Sequence, residues 1–157
     1  MSVIRVVWGT AAGPTGTAAY DAALADAGVE NYNLVPLSSI LPADASLAVV
    51  GTAPDLGAAG NGLYVVQGRA PAGPDETAAA GIGWARSESG RGVFYEAAGG
   101  TERAVRTEIE AGLAAGRDLR EWTFVEEETV VRRVEGPPDE RACAVVLAAF
   151  GESRPLL

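Results

Sequence analysis

The chain has 157 residues, 48% hydrophobic and 21% charged, with a formal net charge of −9. That length suits one well-buried domain, and the negative charge argues against nucleic acid or an anionic membrane as partner. Histidine and lysine are absent, so all 12 basic residues are arginines; this removes the lysine that anchors pyridoxal phosphate (no PLP), the default general base near neutral pH and the common zinc sites (no metal is expected).

Residues 4–8 are apolar and β-branched, suited to a buried strand. Residues 9–16 read as a turn-rich loop, with Thr15 or Thr17 available as helix cap. A helix follows to about Ala27, with Tyr20, Leu24 and Ala27 as its apolar stripe and Gly28 as its stop. Residues 32–37 read as a strand that Pro36 confines to an edge or an interruption. Residues 47–50, 63–67, 78–85 and 92–97 are strand candidates separated by loops. Thr101 caps a second helix to about Ala115, its stripe Val105, Ile109 and Leu113, with Gly116 as its end. Residues 122–134 carry strand formers with acidic interruptions, and 142–150 read as a central strand holding Cys143 as an inert core thiol. Many strands and two separated helices indicate a single α+β domain with helices covering sheet faces.

No apolar run reaches the roughly 18 residues of a membrane helix, and the opening residues lack the flank of a signal peptide, so a cytoplasmic protein is expected. No Gly-rich phosphate motif is present. The acidic excess, the missing lysine and the abundant alanine read as adaptation to salt; a GC-rich genome would also favour Ala, Gly and Arg without requiring the acid.

An enzyme built from these residues must use carboxylates, hydroxyls, amides, arginine or a group made from the chain. The only Ser-Ser pair, Ser38-Ser39, lies in Asn31-Tyr32-Asn33-Leu34-Val35-Pro36-Leu37-Ser38-Ser39-Ile40-Leu41-Pro42. A serine can attack the preceding carbonyl, turn the peptide into an ester and, after β-elimination and hydrolysis, leave a pyruvoyl group at a new amino terminus. Asn33, six residues earlier on an extended segment, is a candidate to reach back and donate its NH2 to the attacked carbonyl; Asn33 and Asn31 serve equally well as turn residues. Glu96 ends an apolar strand beside Ala-Ala-Gly-Gly, where partial desolvation would let it carry a proton; a solvated strand end is the plainer role. Asp21 borders the stripe of the first helix, either facing a cleft or favouring the helix dipole.

Together these residues resemble the pyruvoyl-dependent arginine decarboxylase family, on the segment 31–42 with support from Tyr20-Asp21-Ala22-Ala23-Leu24 and Tyr95-Glu96, over nearly the whole chain. The resemblance implies an αββα sandwich, self-cleaved into a β chain 1–38 and an α chain 39–157 that carries the pyruvoyl cofactor at Ser39. It implies a homotrimer of cleaved protomers, or a dimer of trimers, with active sites between neighbours. The expected reaction converts L-arginine to agmatine and CO2 through a Schiff base on the pyruvoyl group, with Glu96 protonating the carbanion and Asp21 holding the guanidinium. Two rivals stand beside it: the same chemistry on another amino acid, and an unprocessed, noncatalytic trimeric module that binds a small ligand.

Overall fold

The structure, a computed structural model, describes residues 2–157. In chain order the elements are β1 (Val3–Gly13), α1 (Gly16–Ala27), β2 (Asn33–Pro36), β3 (Ile40–Leu41), β4 (Ser46–Gly51), β5 (Gly62–Ala72), β6 (Thr77–Ser87), β7 (Gly92–Gly99), α2 (Glu102–Asp118), β8 (Phe124–Glu135) and β9 (Arg141–Phe150). The strands form a mixed five-stranded sheet, β2-β5-β9-β1-β4, and a four-stranded antiparallel sheet, β3-β7-β6-β8. Within the first sheet β9 is antiparallel to both β1 and β5, while β1–β4 and β2–β5 are parallel.

Three apolar layers make an αββα sandwich. Ile4, Val6, Val66, Ile82, Trp84, Phe94 and Val146 fill the space between the sheets. Ala19, Ala23, Leu24 and Ala27 of α1 pack on Val7, Val145 and Leu147 on the outer face of the first sheet. Val105, Ile109 and Leu113 of α2 pack with Ala79, Ala85 and Val131 on the second. The near-continuous apolar run of β9 follows from its central place between β5 and β1, with both faces covered.

Helix ends follow the sequence. Thr15 accepts from the Ala18 N–H, and Gly28 closes α1 at φ 82°, a left-handed conformation that glycine adopts without a Cβ penalty. Thr101 caps α2 in the same way as Thr15 caps α1.

Two expectations are corrected, and one strand is added. Residues 9–13 are not a loop: β1 continues to Gly13. Gly9 and Gly13 are there for close approach, since a Cβ on Gly9 would stand 2.0 Å from the Ala23 carbonyl oxygen and one on Gly13 2.8 Å from the Ala19 nitrogen. Gly116 does not end α2, which runs to Asp118 with Gly116 buried. β3 is a strand that its two residues could not announce, made by pairing with β7.

Candidate active site

Ser38 and Ser39 lie where the chain leaves one sheet for the other. β2 is the edge strand of the five-stranded sheet and β3 the edge strand of the four-stranded one, so Leu37, Ser38 and Ser39 cross between layers. Hydrogen bonds hold both banks of the crossing. The Leu37 N–H donates to the Val65 carbonyl at 2.8 Å, and the Phe94 N–H donates to the Ser39 carbonyl at 2.7 Å. Ser38 is exposed and Ser39 half-buried. Leu37 and Ile40 on either side are 37% and 49% exposed, and Tyr64, paired with Val35 on the next strand, is 43% exposed. The Ser38–Ser39 peptide thus lies between two hydrogen-bonded ends.

Glu96 lies beside it. Ile40 pairs with Val93, so the antiparallel ladder sets Ser39 against Phe94. Directly opposite residues share a face, and so do residues two apart on a strand. Ser39, Phe94 and Glu96 therefore look into the same interlayer side, with Glu96 one strand repeat, about 7 Å, beyond Phe94. The expected desolvation is not made within one protomer: Glu96 is exposed. Tyr95 between them points the other way, into the layer under α2.

Asp21 is also exposed, and it lies outside the buried face of α1 formed by Ala19, Ala23, Leu24 and Ala27. Its neighbour Tyr20 ties this part of α1 to β5. The Tyr20 hydroxyl donates to Gln67 Oε1 at 3.0 Å, and the Arg69 guanidinium stacks 3.5 Å from the centre of the Tyr20 ring. Extending the β2–β5 register by two residues sets Ser38 level with Gln67. On the inner face, a Cβ on Gly68 would stand 3.2 Å from the Ala97 carbonyl oxygen, so β5 touches β7 one residue from Glu96. Tyr20, the neighbour of Asp21, thus meets β5 at Gln67 on its outer face, and Ala97, the neighbour of Glu96, meets it at Gly68 on its inner face. Sequence reasoning missed Gln67 and Arg69. The available signal was that both continue the outward alternation of Leu63 and Val65, yet are polar.

Arg69 also approaches Cys143, whose thiol burial pushes above its ordinary 9.0 while the guanidinium pulls it back. The thiol is 1% exposed, a core group as expected.

Asn33 stands elsewhere. It opens β2, and its Nδ2 donates to the Gly60 carbonyl at 2.8 Å. The strand Asn33–Pro36 and the bend at Ser39 lie between the two, and the amide's partner is Gly60 rather than either serine.

The crossing fits conversion of Ser39 to a pyruvoyl group. The Ser39 carbonyl would become the amide carbonyl next to the keto carbon, and its oxygen already accepts from the Phe94 N–H. Among the described residues no three His, Cys, Asp or Glu side chains converge as a metal site, and no helix is long and apolar enough to cross a membrane.

The family model described as pyruvoyl-dependent arginine decarboxylase (PvlArgDC) matches residues 3–155. Proteins named pyruvoyl-dependent arginine decarboxylase from two strains of Halobacterium salinarum are 49% identical over 158 residues, covering 99% of this chain and 98% of theirs. One of the same name from Methanopyrus kandleri is 36% identical over 146 residues, covering 92% of this chain and 93% of its own. Matches that span both chains almost end to end, on a fold that isolates the Ser-Ser pair at a sheet crossing, make this chain a member of the pyruvoyl-dependent arginine decarboxylase family.

Proposed function

We propose that the chain cleaves itself between Ser38 and Ser39, into residues 1–38 and 39–157, and then decarboxylates L-arginine to agmatine and CO2. The observation that carries this reading is the position of the only Ser-Ser pair, at a bare crossing between two sheets in a chain of this family. In cleavage, Ser39 Oγ attacks the Ser38 carbonyl carbon; the C–O bond forms, the C–N bond breaks, and the freed nitrogen takes the proton. Removal of the residue 39 Cα proton then expels the Ser38 carboxylate. Water replaces the nitrogen as ammonia, leaving a keto group at residue 39, and no oxidant is consumed.

The pyruvoyl group supplies an electron sink for the pair left when CO2 departs. The chain's own residues do the rest. The Phe94 N–H polarises the carbonyl beside the keto carbon. Glu96, on the same face, returns a proton to the substrate carbon. Asp21 accepts the substrate guanidinium, which stays charged at any working pH and is best matched by a bidentate carboxylate. The relatives' names support arginine as the substrate.

Exposure of Leu37, Ile40 and Tyr64 around the serines supports a homotrimer in which a neighbour covers the crossing. Such a neighbour would desolvate Glu96 and supply Asn33 in trans, where its amide donates to the attacked carbonyl. The test is incubation of the purified protein with L-arginine and measurement of agmatine and CO2, with Ser39→Ala alongside. Agmatine from the wild type and none from Ser39→Ala is expected. A cleaved protein that leaves arginine untouched but decarboxylates another amino acid overturns the substrate, and a folded, uncleaved, inactive wild type overturns the enzyme.

A further inference from the structure

α2 carries two glycines inside its span, Gly112 and Gly116, each costing about 1 kcal/mol relative to alanine in a helix interior. One side chain accounts for both. A Cβ on Gly112 would stand 2.5 Å from Tyr95 Cδ1, and one on Gly116 2.8 Å from Tyr95 Cε2 and 3.0 Å from its hydroxyl. The Tyr95 ring is therefore seated in a notch of α2 that only glycines leave open. Across the sheet Tyr95 pairs with Gly83, where a Cβ would stand 2.3 Å from Ile109, so α2 presses on β6 and β7 there without slack.

We infer that this notch is a positioning device for the active site, a deepening that rests on the function proposed above. Tyr95 lies between the two groups of β7 that serve Ser39: Phe94, whose N–H holds the Ser39 carbonyl, and Glu96. Its ring faces α2, away from Ser39, so it touches no reacting atom; it fixes the strand that does. Tyr95 is a positioning residue, and its hydroxyl is not an alternative proton donor to Glu96.

The experiment compares Gly112→Ala, Tyr95→Leu, their double variant and Val105→Ala. Val105 packs near Gly81 and Gly99, about 10 Å along the helix from the notch, and controls for a merely loosened layer. Melting alone does not decide, because Gly112→Ala gains helix propensity while displacing the ring. In the uncleaved Ser39→Ala background, amide exchange at Phe94 should quicken at least tenfold in Gly112→Ala and Tyr95→Leu but not in Val105→Ala. Combining the two notch changes should add nothing, since alanine then has no ring to strike. In chains able to cleave, Gly112→Ala should slow cleavage and lower kcat per cleaved chain about tenfold, with KM for arginine nearly unchanged, because small misplacements act on the chemical step. Unchanged Phe94 exchange in Gly112→Ala, additive effects in the double variant, or an equal response in Val105→Ala overturns the notch. Faster exchange with undiminished cleavage and turnover overturns its part in the chemistry. The exchange arm uses uncleaved protein and stands even if the wild type fails to cleave, which keeps the two failures apart.

Discussion

Asp21 and Glu96 are both exposed carboxylates in the protomer, yet kinetics should separate them. Asp21→Asn keeps the shape and removes the charge opposite the guanidinium. Cleavage should survive, and KM for arginine should rise about tenfold or more, in line with the loss of a charge-assisted hydrogen bond, while a neutral analogue is less affected. Glu96→Gln keeps the hydrogen bonding but delivers no proton readily. Its kcat should fall about 10²- to 10⁴-fold with a smaller change in binding. Steady-state kinetics on variants first checked for cleavage by denaturing gel would read both. An unchanged KM and specificity in cleaved Asp21→Asn removes it from the guanidinium, and an undiminished kcat in cleaved Glu96→Gln removes it as proton donor.

At the scale of elements, the crossing explains how a chain can be cut and stay folded. The shorter piece would keep β1, hydrogen-bonded between β9 and β4, α1 packed on β9, and β2 paired with β5, all strands of the longer piece. Both pieces should therefore elute together in size-exclusion chromatography without denaturant, and separate only in strong denaturant. Dissociation of cleaved protein in native buffer would contradict the pairing. Much of this layout was legible in the sequence because local signals and packing agree: Thr15 and Gly28 bound α1, Pro36 marks an edge, and the unbroken apolar run of β9 marks a centre. Glycine was the main source of error. Gly9, Gly13 and Gly116 look like punctuation in one dimension, but each is spent on a close contact with another element. The site divided likewise. The Ser-Ser pair stands out by residue type, whereas the bond from Asn33 to Gly60 depends on a loop that comes from elsewhere in the chain, and Gln67 matters only because of a strand register.

For the whole molecule, charge sets the conditions. The protein carries 21 acidic residues against 12 arginines, and among the described residues three ion pairs form: Arg5–Glu152, Arg117–Glu127 and Arg133–Glu135. Most carboxylates repel one another across the surface. The screening length falls from about 10 Å at 0.1 M salt to about 3 Å at 1 M, so the melting temperature should rise between low and molar KCl. A melting temperature that salt leaves unchanged or lowers favours genome composition as the origin of the bias. The central claim is covalent, and intact-mass spectrometry of the purified, folded protein tests it most directly. The account predicts two chains, 1–38 ending in an ordinary carboxylate and 39–157 lighter than its serine form by the loss of ammonia, with Ser39→Ala a single intact chain. A folded wild type whose mass is that of one chain with an unmodified serine at position 39 would contradict it.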